Sequence, residues 1–421
     1  MDKKIKVLVI ADHPLSPSGV AHQTKNMIVG LLKTQKYEFF CLGGAIKHED
    51  YRMVKIEPFD DDFKILPVDG YGNQDLLRNV IKNEKPDILW FMTDPRFWGW
   101  LWDIENEIRP NMPMVYYHVW DNYPYPLYNK SFYNSNDFIA CISKLTYDIV
   151  KNVSPETESV YLPHAVDNRI FNIETEQQII SFRKENFGID KDDDVTLFFW
   201  NNRNARRKQS GTVIWWFNEF LKKHGKDKAR LLMHTDVRDS HGQDLEWIIN
   251  DLGLVNGEVM FSTDKVHPPQ LAQLYNAADC TINIADAEGF GLATLESLSC
   301  GTPVIVNMTG GLQEQVTDGE EWFGIGIEPS SKSIIGSLDV PYIREDRVNE
   351  DDFINALIKM ATMSKKERKE MGLKGHAHVT KNYNFNNYVE SWDKVFSELH
   401  EKHGSWDSRK NHASWNIKEI V

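Results

Sequence analysis

Cysteine is scarce in this 421-residue chain, which has only Cys41, Cys141, Cys280 and Cys300. None stands in CxxC spacing and each lies inside or beside an apolar segment. That argues against a disulfide scaffold and a zinc site, and for buried thiols in a reducing, cytoplasmic compartment. No run reaches the roughly 18 apolar residues of a membrane helix. The opening MDKKIKVLVIADHP meets Asp12 and His13 within a few residues, so no signal-peptide core can be drawn. Positive charge is the minority sign: 48 Lys and Arg against 62 Asp and Glu leave a formal net charge of −14. Such a balance opposes non-specific attraction to nucleic-acid phosphates and anionic lipid, though not a local basic groove. GxGxxG is missing from the first turn, where His13-Pro-Leu-Ser-Pro-Ser-Gly19-Val20 stands instead, so a nicotinamide or flavin fingerprint is absent there.

What is present is an ordinary globular composition, 41% hydrophobic and 26% charged. The chain exceeds the roughly 250 to 300 residues at which single cores stop growing, so two domains are expected. In the first half, strand-like runs at Lys6 to Ala11, Tyr37 to Leu42, Asp87 to Phe91, Met114 to Val119 and Phe138 to Ile142 alternate with helical patterns such as Ala21 to Leu32 and Gln74 to Asn83. After Pro163 the rhythm restarts, with strands at Val195 to Trp200, Arg230 to Met233, Val259 to Ser262, Cys280 to Ile284 and Pro303 to Asn307. Helices are expected at Thr212 to Lys223, Gln270 to Ala277 and Leu292 to Cys300. Repeated βα units of this kind predict two α/β domains with parallel sheets, and a ligand cleft at the carboxyl ends of their strands.

From Asp351 to about His400 the pattern is helical only, and Tyr388, Trp392 and Phe396 recur on one face that needs a docking surface, the first domain being the candidate. Asp60 to Asp62 and Asp192 to Asp194 read as solvated turns rather than metal ligands. Residues 330–349 and the polar tail from Gly404, with Trp406 and Trp415, match no interpretable motif.

The most informative stretch is Glu288-Gly-Phe-Gly-Leu-Ala-Thr-Leu-Glu296, after a strand and at the start of a helix. Gly289 and Gly291 let backbone amides approach a ligand, and the helix adds its unpaired N–H groups and positive dipole end, a site for diphosphate or sugar oxygens. Glu288 and Glu296 can address different parts of one elongated, hydroxyl-rich ligand. The plainer reading is an acidic helix start and an exposed glutamate.

Glu-x7-Glu within EGFGLATLESLSCGTPVIV, followed by Gly310-Gly311 and Glu314, resembles the signature of the retaining family-four glycosyltransferases. The resemblance implies the GT-B fold: two doubly wound, Rossmann-like domains facing a central cleft, with C-terminal helices crossing back to the first domain. The corresponding boundaries are 1–168 on the acceptor side, 169–384 for the nucleotide sugar and 385–421 for a last helix and tail. By resemblance, Glu288 binds donor-sugar hydroxyls, Glu296 the ribose, and Gly289, Phe290, Gly291 and Leu292 the sugar and diphosphate. Arg203 and Lys208, in Asn202-Arg203-Asn204-Ala205-Arg206-Arg207-Lys208, take the positions of the family's diphosphate-binding cations. Arg207 could replace either, and Gln209-Ser210 stands where the family has glycine. Gly19 matches the first-domain loop and His118 the histidine that contacts the donor sugar. His164 and Ala165 depart from the family's interdomain Asn-Gly-Val-Asp element.

The resemblance further implies transfer with retention and without an obligatory metal or other cofactor. Cations would stabilise the leaving nucleoside diphosphate, and no carboxylate presents itself as the nucleophile of a double displacement. The donor would be UDP- or GDP-linked. Trp90, Phe97, Trp98, Trp100, Trp102, Tyr116, Tyr117, Trp120, Tyr123, Tyr125 and Tyr128 crowd the first domain as core or as stacking surface. The acceptor is open: a glycan, a small molecule, or a hydroxymethylated base in viral DNA within an infected host cell, the last opposed by the net charge. A non-catalytic nucleotide-sugar-binding subunit and a nucleotide-sugar epimerase are the readings from other classes.

Overall fold

Unbroken apolar runs such as Val7–Ala11 suit strands covered on both faces, as parallel sheets require. In the computed structural model, which describes residues 3–412, that run lies in β1 (Ile5–Asp12), with Val7 to Ala11 at most 1% exposed. Two compact units emerge: Met1–Ala165 with Gly336–Pro341 and Phe385–Val421, and Val166–Ile335 with Tyr342–Asn384. The part of the expected tail beyond residue 412, Trp415 included, lies outside the described residues.

The first unit holds an eight-stranded sheet. To β1 it adds β2 (Tyr37–Gly44), β3 (Val54–Ile56), β4 (Asp60–Pro67), β5 (Ile88–Thr93), β6 (Met114–His118), β7 (Phe138–Cys141) and β8 (Ser159–Tyr161), in the order β3-β4-β2-β1-β5-β6-β7-β8. Every pairing is parallel except β3 with β4. The aspartates read as a turn open β4 instead: Phe63 and Ile65 are buried, while Asp61 and Asp62 pair with Lys55 and Lys4 at the strand's exposed start.

Helix Phe385–His403 closes this unit. Its Tyr388, Trp392 and Phe396 are buried, Trp392 packing edge-on against Trp90 and Tyr117, and the Tyr37 hydroxyl donates to Asp393 at 2.7 Å. The segment that follows clasps the sheet's amino-terminal rim. Ser405 donates to Asp87 at 2.6 Å, the Trp406 indole N–H to the Pro86 carbonyl at 2.9 Å, and Arg409 pairs with Asp137 at 3.1 Å, both side chains under 5% exposed. Removing one partner of a buried ion pair costs about 3 kcal/mol. Arg409→Ala is therefore expected to lower the urea midpoint of the first unit's unfolding, and an unchanged midpoint would reject the clasp.

The second unit holds β9 (Thr196–Asn201), β10 (Ala229–His234), β11 (Val259–Ser262), β12 (Cys280–Asn283), β13 (Val304–Asn307) and β14 (Gly324–Ile327), in the order β11-β10-β9-β12-β13-β14 and all parallel. Phe198, Trp200, Leu231, Met233, Ile282 and Ile305 form its core with Phe217, Phe220 and Leu357 from flanking helices. Strand order reverses between β9 and β12, and the loops leaving their carboxyl ends are where open α/β sheets bind ligands. The uninterpreted residues 330–349 form an antiparallel hairpin of β15 (Ser331–Ile335) and β16 (Ile343–Arg347). Among the described residues no helix is long and apolar enough to cross a membrane.

Candidate functional site

The loop after β12 runs through Asp286 and Glu288 into Gly289-Phe290-Gly291 and then helix Leu292–Ser299. Gly291 has φ +96°, a left-handed conformation open to glycine, and caps the helix without a side-chain bond. Thr294 and Leu295 donate to the Gly291 carbonyl, both at 3.2 Å. The amides of Leu292 and Ala293 consequently have no acceptor within the helix. The Thr294 hydroxyl is buried without a hydrogen-bond partner. Gly311 buttresses the loop from behind: its N–H donates to the Glu288 carbonyl at 3.0 Å, and a Cβ there would lie 2.6 Å from the Phe290 Cα. Gln315 donates to the Phe290 carbonyl at 2.8 Å.

The loop after β9 brings the cations. Lys208 is buried and ion-paired with Glu288. Arg207 donates to the Ala287 carbonyl at 2.8 Å. Burial raises the pKa of Glu288, but the charges of Lys208 and Arg207 outweigh it and hold the carboxyl below its ordinary value. Gln209 occupies the left-handed conformation, φ +59°, which explains why glycine would be at home in this position. Its amide donates to Asp286 at 2.6 Å. Asp286 is raised to about 6, first by burial.

Arg203 does not join this group. It is 60% exposed and forks onto Asp239, at 2.6 and 3.1 Å, on the loop after β10. Of the cations named from the sequence, it is Arg207, the alternative, that the fold sets beside Lys208 and Glu288, with Arg203 outside that group.

Glu296 points from the second turn of its helix to Tyr275, whose hydroxyl donates to it at 2.8 Å and accepts from the Asn201 amide at 2.7 Å. Burial raises the Glu296 carboxyl to about 7, only partly offset by the tyrosine. Sequence reasoning missed Tyr275, because it sits among apolar residues of helix Pro268–Ala277 and carries no motif. Tyr275→Phe removes a donor to a carboxylate, an interaction worth roughly 1.5 to 3 kcal/mol. The variant's Glu296 should therefore titrate higher than in wild type, and an unchanged titration would detach Tyr275 from that carboxyl.

Gly19 and His118 belong to the first unit. Gly19 starts helix Gly19–Leu32 and is exposed, after Ser18, which caps the helix by accepting from Ala21 and donates to Asp12. His118 ends β6 but is fully buried: Tyr133 and Nε2 share a 2.9 Å hydrogen bond, Nδ1 has no hydrogen-bond partner, and burial lowers its pKa to about 3. His118, expected to face the ligand, is thus a neutral histidine packed between Tyr116 and Tyr133. The nearby aromatic residues Trp90, Trp98, Tyr116 and Tyr117 are equally buried, as core.

Comparison with known proteins bears on the same segment. Residues 245–339 match the family model for "Glycosyl transferases group 1". D-Inositol 3-phosphate glycosyltransferase of Acidothermus cellulolyticus is 36% identical over 113 residues, 26% of this chain and 25% of that protein. Alpha-monoglucosyldiacylglycerol synthase of Streptococcus pneumoniae is 27% identical over 190 residues, 45% of this chain and 41% of that one. The matches thus span well under half the length of these curated relatives. Sucrose-phosphate synthase from Thermosynechococcus elongatus superposes with a TM-score of 0.73 at 14% identity, covering 95% of this chain and 100% of that one. Anabaena HepE, in complex with UDP and glucose, gives 0.67 at 16%, covering 94% and 100%. The chain has the two-domain GT-B-like α/β fold, and its residues 245–339 carry the group 1 glycosyl transferase signature.

Proposed function

We propose that this protein is a glycosyltransferase that moves a sugar from a nucleoside-diphosphate donor to an acceptor hydroxyl, with retention and without an obligatory metal. The observation that carries the reading is the Lys208–Glu288 pair beside the glycine loop that opens helix Leu292–Ser299. Glu288 takes sugar hydroxyls, and the loop amides of Gly289, Phe290, Gly291 and Leu292 take the sugar and phosphate oxygens. Glu296 takes the ribose. Lys208 and Arg207 hold the charge that grows on the departing phosphate, and Arg203 is exposed and able to leave Asp239 for it. Glu288 is already engaged by a cation, a setting suited to positioning the sugar rather than to attacking it. In this scheme the departing phosphate oxygen accepts the proton of an acceptor that arrives on the same face. Gly19 is assigned to the acceptor and diphosphate side.

UDP is the first nucleotide to test, because HepE is described in complex with UDP and glucose; GDP is the second. The acceptors implied by the names of the relatives, an inositol phosphate and a diacylglycerol, belong to those proteins and head the acceptor list here. The test is nucleoside diphosphate release from a panel of nucleotide sugars, with and without chelator. Release from one donor, unchanged by chelator, supports the reading. A donor turned over only with metal rejects metal independence, an altered free sugar signals an epimerase, and no binding of any donor signals a non-catalytic subunit.

A further inference from the structure

The β15–β16 hairpin lies outside every sequence motif, yet it supplies two buried carboxylates to the loops that carry the site. Glu345, with no exposed surface, receives both terminal nitrogens of Arg206 and Nη2 of Arg347 at 2.9 Å. Its neighbour Asp346, 6% exposed, donates its N–H to the Asp286 carbonyl at 2.8 Å and accepts from the Thr309 hydroxyl at 2.8 Å. Asn307, at the end of β13, donates to the carbonyls of both Ala285 and Asp346, at 2.8 and 2.7 Å. Strand β16 is thereby stitched to the 285–288 loop from below.

The four residues after Ala205 then attach in sequence: Arg206 to Glu345, Arg207 to Ala287, Lys208 to Glu288 and Gln209 to Asp286. The Arg207 carbonyl also receives the Asp286 N–H at 2.8 Å. A carboxylate with no access to water is costly unless paired, and Glu345 is paired by Arg347 and by the Arg206 fork, which holds Arg206 at a fixed place. Fixing Arg206 fixes where the next two cations begin.

We propose that the hairpin sets the position of the cationic loop, with Glu345 as a positioning residue that acts through Arg206 on Lys208 and Arg207. This rests on the nucleotide-sugar reading of the site. A displacement of about 1 Å in such a group can cost up to a hundredfold, and a loop that keeps its cations but loses one anchor falls toward the lower end, about tenfold.

The experiment uses the full chain and a panel of UDP, GDP, ADP and TDP, with dissociation constants from calorimetry and melting temperatures in parallel. Wild type is compared with Glu345→Gln, Arg206→Gln, their double variant and Lys208→Ala. Each single change at 345 and 206 is expected to weaken the preferred nucleotide about tenfold, and the double variant no further. A merely structural Glu345 would lower the melting temperature and leave the dissociation constant alone, which overturns the proposal. Additive losses overturn the route through Arg206. If Glu345→Gln does not fold, Arg206→Gln decides, since that side chain is 54% exposed and its loss leaves Arg347 on Glu345. Wild-type affinity in Glu345→Gln and Arg206→Gln, with binding abolished in Lys208→Ala, sinks the hairpin's role and leaves the reading of the site standing. Unchanged binding in Lys208→Ala, or no nucleotide bound by wild type, sinks that reading and the hairpin's role with it.

Discussion

Lys208→Ala is expected to cut sugar transfer on the order of a thousandfold while leaving the protein folded. Removing one group that stabilises developing charge in an enclosed site typically costs a hundred- to a thousandfold. Lys208 should lie at the upper end, because it is buried and its ammonium is already directed at the glycine loop through Glu288. The variant leaves Glu288 with Arg207 as the remaining cation of the pair that holds its carboxyl down, so its pKa should rise. The check is nucleoside diphosphate release with the preferred donor at saturation, with circular dichroism as the folding control. A loss confined to KM would place Lys208 in ground-state binding alone, and a variant of near wild-type rate would remove the charge-stabilising role.

Glu296→Gln is expected to weaken nucleotide binding on the order of a hundredfold, since hydrogen bonds to a charged acceptor contribute roughly 1.5 to 3 kcal/mol each. The effect should depend on pH. Burial raises the Glu296 carboxyl to about 7, so near neutrality a large fraction is protonated and cannot accept two hydroxyls as a carboxylate does. Ribose hydroxyls donated to the charged form favour it and lower the pKa. Nucleotide binding at pH 6.5 to 7 should therefore release a proton, and affinity should rise from pH 6 to pH 8. Calorimetry in buffers of different ionisation enthalpy reads that proton directly. Wild type should show buffer-dependent heats and Glu296→Gln heats that no longer vary, whereas buffer-independent heats in wild type would detach Glu296 from the ribose. The same shift bears on stability with a fixed sign: folding favours the protonated form. The contribution is present below the ordinary value of 4.5 and is lost as the pH rises toward about 7.

The strands of both units were legible wherever a parallel sheet buries a strand on both faces and the sequence answers with an unbroken apolar run. The ten strands expected from such runs lie within two residues of those observed. The strands that escaped notice lacked that signal for physical reasons. β14 reads Gly-Ile-Gly-Ile because Gly324 approaches β13 so closely that a Cβ would sit 2.8 Å from Val304 Cγ2. β4 opens on three solvated aspartates, and β15 and β16 are polar because the hairpin's work is electrostatic.

At the candidate site, Glu288, Glu296, the glycine loop and Lys208 were singled out through the motif they resemble, and the structure brings Lys208 to Glu288 and Tyr275 to Glu296. Arg207 was named from the sequence as an alternative cation, whereas Tyr275, Asp286 and Glu345 take their importance from who meets whom in space, and a single sequence holds no record of that. His118 shows the converse, because a strand end specifies a position along the chain and not the rotamer that turns the ring inward to Tyr133.

The clasp formed by Ser405, Trp406 and Arg409 has a consequence for biogenesis. The first unit's sheet is synthesised by residue 161, but Arg409, which joins Arg109 on Asp137, and Ser405, which donates to Asp87, emerge more than 240 residues later. Apart from 336–341, the second unit is one continuous stretch from 166 to 384, and domains fold as units while the ribosome adds roughly 5 to 20 residues per second. The half of the chain that is translated second is therefore the half able to finish first, and the sheet that leads the chain must wait, edges and apolar surface uncovered, for its last helix to arrive.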